Sequence, residues 1–144
     1  MVMDNIDKLH FASKCIIINE ENKFLILKRT HYSNNGGDQW DFPGGSVNQD
    51  EDINESIKRE VDEELKIKLE EPKVFRITSG KGIPSGQFIF VLFASKKYNL
   101  KDGIKLSNEH SEYQWISLNE MNDYDFYLRE SIINDVRNYL TELD

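Results

Sequence analysis

Between Gly45 and Ile67 the chain reads GSVNQDEDINESIKREVDEELKI, a glycine turn followed by an apolar stripe of helical period, and no other stretch limits the fold as much. Asp52, with Glu55 three residues later, forms a capping box in its aspartate version and predicts a helix starting at Asp52. Ile53, Ile57, Val61 and Leu65 recur every fourth residue and predict a buried stripe, with Lys58, Asp62 and Lys66 on the opposite side. At roughly 100° per residue, Glu60 and Glu64 border that stripe and Glu63 shares their flank. A buried unpaired charge costs several kcal/mol, and Arg59 supplies a single positive charge nearby, so this arrangement of carboxylates points to bound cations. Hard carboxylate oxygens, with no His or Cys cluster in the sequence, suit Mg²⁺ or Mn²⁺, ions that bind phosphates.

The rest of the chain supplies strands for that helix to cover. Residues 11 to 18 and 23 to 29 read as strands, followed by the irregular loop HYSNNGGDQ. Beyond the helix, Lys73 to Thr78 and Gln87 to Lys96 read as two strands joined by SGKGIPSG, and Tyr113 to Ser117 as another. Leu128, Ile132, Val136, Tyr139 and Leu140 predict a final helix from Leu128 to Leu140 with one apolar face. Two helices then cover one mixed sheet. The 144 residues contain no linker, repeat or low-complexity tract, which predicts one compact domain. A net charge of -8 argues against a polynucleotide partner, whose phosphates require many Lys and Arg contacts, and leaves room for a nucleotide held through metal. No apolar run approaches the ~20 residues needed to span a membrane, and no signal pattern opens the sequence. The lone Cys15 lies in Cys-Ile-Ile-Ile and reads as a buried strand thiol, which predicts a soluble protein of the reducing cytoplasm.

Gly45, Glu51, Arg59, Glu60, Val61, Glu63, Glu64 and Ile67, preceded by Trp40-Asp41-Phe42-Pro43-Gly44, match at every spacing the box of a known family. On these residues the chain strongly resembles the Nudix (MutT-like) hydrolases, with a similar hydropathy order from about residue 10 to residue 140. It departs from the family at Lys66, where a helix-ending Gly is usual, and at Asn48 and Asp50, where Glu and Gly are often seen. The resemblance implies an α/β protein with the Nudix fold, an α/β/α sandwich with a mixed central sheet, as a single Nudix hydrolase domain over residues 1–144. It implies that Glu60, Glu63, Glu64 and the Gly44 carbonyl hold one to three Mg²⁺ or Mn²⁺ ions bridging a diphosphate, with water as nucleophile. Glu60 is the favoured general base. In the loop NEHSEYQW, Glu112 is favoured over Glu109 to complete the metal shell or act as base. Arg59 and Glu51 correspond to a supporting pair, and Arg29 to a family arginine that contacts substrate phosphates.

The activity so implied is a Mg²⁺-dependent pyrophosphohydrolase cleaving a nucleoside diphosphate linked to another moiety, with a nucleoside triphosphate, oxidised or non-standard forms included, as the leading substrate. ADP-ribose or nucleotide-sugar hydrolysis and a non-catalytic nucleotide-binding Nudix module are the alternatives. Family members often form homodimers, and oligomeric state stays open. Other residues take plainer readings: His31 and His110 as exposed loop residues, Trp40 and Phe42 as core or pocket wall, and SGKGIPSG as a flexible hairpin. Pro84 lies near where family ADP-ribose pyrophosphatases carry a proline.

Overall fold

The computed structural model describes residues 9–81, 87–100 and 102–143, so Pro84 and much of the SGKGIPSG loop lie outside the described residues. Strand β1 (Leu9–Ile17) is joined to β2 (Phe24–Arg29) by a tight turn in which the Asn19 side chain accepts the Glu21 and Lys23 N–H groups and Asn22 takes a left-handed backbone. Short strands β3 (Trp40–Asp41) and β4 (Gly44–Ser46) lead to helix α1 (Ile53–Leu65). Strands β5 (Lys68–Leu69), β6 (Lys73–Lys81), β7 (Gln87–Ser95), β8 (Tyr98–Asn99) and β9 (His110–Ile116) follow, then a 3₁₀ turn at Leu118–Asp123 and helix α2 (Glu130–Glu142).

The strands pair as a four-stranded sheet in the order β4-β1-β7-β6, a three-stranded sheet β3-β2-β9 and a small β5-β8 pair. Strands β1 and β7 run parallel and the other pairs antiparallel, so the architecture is mixed, but one continuous sheet is not what forms. The reason is local. β4 takes the flank of β1, with Cys15 N–H donating to the Pro43 carbonyl, and β2 keeps only the Ile18–Phe24 bridge to its predecessor. The strand β2 therefore pairs with β9 instead.

Alternation along the strands divides the core. Ile16, Ile18, Phe24, Ile26, Leu92 and Ala94 face α2, through Ile132, Ile133, Val136 and Leu140. Cys15, Ile17, Leu25, Leu27, Val91 and Phe93 face α1, through Ile57, Val61 and Leu65. Each such aliphatic or aromatic side chain contributes about 1.5–3 kcal/mol of transfer free energy when fully buried. Ile53, expected in the stripe, is 36% exposed at the helix start. The helix begins where expected: Asp52 accepts the N–H groups of Asn54 and Glu55, while Glu55 lies 3.9 Å from Lys58 Nζ rather than closing the box. Lys66 ends the helix at φ 59°, ψ 35° and returns its N–H to the Asp62 carbonyl. Helix α2 starts two residues later than expected because the chain before it is held extended, with a Trp40–Phe126 bridge and Tyr127 N–H donating to the Trp40 carbonyl.

Candidate active site

The glycine turn and α1 fit each other through specific atoms. Gly44 runs at φ 143°, and a Cβ there would lie 2.0 Å from the Ser13 carbonyl oxygen of β1. A Cβ on Gly45 would lie 2.6 Å from Glu60 Oε2, so this glycine is what lets the Glu60 carboxylate rest against the turn. The Gly44 N–H donates to Glu64 Oε1 at 2.8 Å and fixes that side chain toward the turn. Arg59 grips Glu51 with both branches, Nε to Oε2 at 2.7 Å and Nη2 to Oε1 at 3.0 Å. Its Nη1 reaches Glu60 at 3.1 Å and Glu63 at 3.2 Å, and Nη2 also donates to the Ser46 carbonyl. One guanidinium thus ties the turn before α1 to three carboxylates.

These carboxylates differ in electrostatic state. The Arg59 hydrogen bonds hold Glu51 down at about 2. Burial pushes Glu60 upward against the opposing pull of Arg59. Burial pushes Glu64, 4% exposed, up to about 8, with Lys14 pulling the other way.

A cavity of about 570 Å³ opens beside Gly44, Gly45 and Glu64, and Lys14, Arg29 and Asp41 also line it. Lys14 Nζ lies 3.0 Å and Arg29 Nη1 3.2 Å from the same oxygen of Asp41, whose other oxygen accepts the Phe42 N–H. Arg29 also stacks over the Tyr127 ring at 4.2 Å and donates to the Asn35 carbonyl. The sequence reading found Arg29 and passed over Lys14 and Asp41. Lys14 directly precedes the apolar run Cys15-Ile16-Ile17-Ile18 within a strand, and that buried position was the available signal.

The loop before β9 closes the site. It is docked on the end of α1, where Lys105 N–H donates to the Leu65 carbonyl and Ser107 N–H to the Glu64 carbonyl, satisfying two helix-terminal acceptors. Glu109 and His110 are thereby brought to Glu64, with ligand atoms of the three residues within 4.8 Å of one another. Glu112 is placed elsewhere: it is half-exposed, with its carboxylate 3.3 Å from Lys28 Nζ. The cause is a bulge. Lys28 pairs with Glu112 and Arg29 with His110, so Ser111 is the extra residue and the period-2 alternation breaks there. His110, read as an exposed loop residue, is instead buried at the head of β9, and burial pushes its imidazole down to about 4. His31 is exposed, 2.6 Å from Asp38. Phe42 is core, and Trp40 packs edge-on against Tyr124.

The donor set, carboxylate oxygens with one buried imidazole nitrogen, fits a divalent cation. Glu60 and Glu64 are held without full charge compensation, and His110 Nδ1 is buried with no hydrogen-bond partner. Among the described residues no helix is long and apolar enough to cross a membrane.

A NUDIX domain model matches residues 8–135 of the chain. An 8-oxo-dGTP diphosphatase of Buchnera aphidicola is 31% identical over 124 residues, covering 84% of this chain and 88% of that protein. Nucleoside triphosphatase NudI of Klebsiella pneumoniae is 30% identical over 121 residues, covering 77% and 84%. A solved MutT protein from Methanosarcina mazei Go1 superposes with a TM-score of 0.77 at 30% identity, covering 93% of this chain and 94% of that one.

Proposed function

This chain belongs to the NUDIX family, and from that premise we propose that it is a Mg²⁺- or Mn²⁺-dependent pyrophosphohydrolase whose substrate is a nucleoside triphosphate, oxidised or non-standard forms included. The observation that carries this reading is a single cavity lined by Glu64 and the Gly44-Gly45 turn together with the cations Lys14 and Arg29. The names of the two curated relatives, a diphosphatase and a triphosphatase acting on nucleoside triphosphates, favour this class over ADP-ribose or nucleotide sugars.

Glu60, Glu63 and Glu64, with the Gly44 carbonyl, would hold the metal, and Glu109 takes the place first given to Glu112. When bound, the ion supplies Lewis-acid polarisation of the phosphate oxygens and neutralises charge on the leaving phosphate. Arg59 keeps the carboxylates in place through its fork to Glu51 and its reach to Glu60 and Glu63. Glu60, whose proton affinity burial raises against the pull of Arg59, would receive the proton of the attacking water. Arg29, braced by Tyr127 and Asp41, would bind phosphate oxygens in the cavity. Complete retention of the box carboxylates favours catalysis over a binding-only module.

We further read residues 1–144 as one domain acting in a reducing cytoplasm. Pyrophosphate release should appear with nucleoside triphosphates and Mg²⁺ or Mn²⁺ and vanish with EDTA. A panel that includes 8-oxo-dGTP, ADP-ribose and nucleotide sugars tests the reading, and turnover confined to the last two would overturn the substrate class.

A further inference from the structure

Acidic clusters are common on protein surfaces without any ion, and Glu64 with Glu109 alone would carry little weight. His110 changes this. Its side chain is 5% exposed, its Nδ1 is buried without a hydrogen-bond partner, and that nitrogen lies 4.0 Å from Glu64 Oε2. Leaving a buried polar atom unsatisfied is unfavourable, so the fold holds this nitrogen at a cost that a ligand would offset.

Both facing groups are fixed by other bonds. Glu64 Oε1 is taken by the Gly44 N–H, which leaves Oε2 directed at the imidazole. The His110 backbone N–H donates to the Ser107 carbonyl, and Ser107 N–H in turn donates to the Glu64 carbonyl, so the ring and the carboxylate are tied through one short loop. A separation of 4.0 Å is too long for a hydrogen bond. With metal–ligand bonds of about 2.1 Å, ligand atoms on opposite sides of one small divalent ion lie about 4.2 Å apart. The gap therefore matches an ion, and the exposed Glu109 carboxylate can close on it from solvent.

We propose that His110 supplies a nitrogen ligand, with Glu64 and Glu109 as oxygen ligands, to a divalent-metal site that favours a first-row transition ion over Mg²⁺. This rests on the hydrolase reading of the same pocket and names the ion class it works with. Imidazole nitrogen suits borderline transition ions, whereas Mg²⁺ demands oxygen ligands and keeps much of its water.

The test uses the full chain and Mn²⁺ as probe. Electron spin-echo envelope modulation of the Mn²⁺-loaded protein should show nitrogen coupling from a directly bound ring. ¹⁵N-histidine labelling of the unsubstituted protein should convert that coupling to the ¹⁵N pattern, a readout that does not depend on any variant folding. His110→Ala should abolish the coupling and weaken Mn²⁺ affinity about tenfold or more, the scale on which disturbing a metal's immediate surroundings already acts. Mg²⁺ affinity, read by competition, should fall much less. Bound Mn²⁺ with no histidine coupling, or equal losses for the two ions, would overturn the proposal. Turnover of nucleoside triphosphates in that case would leave the hydrolase reading standing, and histidine coupling without turnover would sink that reading while keeping this site.

Discussion

Glu64 Oε1 accepts the Gly44 N–H while its other oxygen faces His110, so Glu64→Gln keeps an acceptor for the turn and loses the charge. Turnover should fall by orders of magnitude with the fold retained, and near-wild-type rates would exclude Glu64 from the metal shell. The same carboxyl should mark the metal-free protein's pH profile. Between its ordinary value of 4.5 and its folded value of about 8, the native state keeps a proton that the unfolded chain has released. Stability therefore falls as pH rises through that window, by at most ~1.4 kcal/mol per pH unit. Thermal midpoints in EDTA should decline across it, and Glu64→Gln should flatten the profile. Glu51 has the opposite sign: its depressed value stabilises the fold above 4.5, and that contribution is lost as pH falls toward about 2. In the loop, Glu109→Gln should lower turnover more than Glu112→Gln, because Glu109 reaches Glu64 and Glu112 reaches Lys28. Equal rates for the two variants would remove Glu109 from the site. The sequence could not separate these two residues, since the bulge at Ser111 depends on how β2 and β9 pair.

At the scale of elements, α1 was readable because its signals are local: the Asp52 cap, the fourfold recurrence of Ile57, Val61 and Leu65, and the missing terminal glycine all concern neighbours in sequence. Lys66 occupies the left-handed conformation that glycine adopts without penalty. Lys66→Gly should therefore stabilise the protein by about 1 kcal/mol in denaturant titration, with turnover unchanged because the side chain lies away from the cavity. A loss of stability would mean that the Lys66 side chain makes a contribution larger than its backbone strain. Strand β4 was not readable, since Gly44-Gly45-Ser46 has no strand propensity and is ordered by β1 and by Glu64. The consequence was larger than three residues: with this short strand on the flank of β1, β2 pairs with β3 and β9 in a ladder separate from that of β1. Lys14 and His110 escaped for a related reason, their roles being set by partners 27 and 46 positions away, Asp41 and Glu64.

At the scale of the molecule, metal and fold are linked, because an ion that binds the folded site and not the unfolded chain raises stability by mass action. At a hundredfold excess over its dissociation constant this amounts to about 2.7 kcal/mol, or roughly 5–10 °C in the thermal midpoint for a chain of this size. Differential scanning fluorimetry with Mn²⁺ against EDTA should show that rise, and an unchanged midpoint would mean that the carboxylates hold no ion of useful affinity. Glu60, Glu63 and Glu64, which would hold the ion, belong to α1, whereas α2 packs on the other face of the strands. The two faces are thus separate targets for mutation. Exchanges at Ile132, Ile133 or Val136 can therefore tune heat tolerance without touching a residue that lines the phosphate-handling cavity.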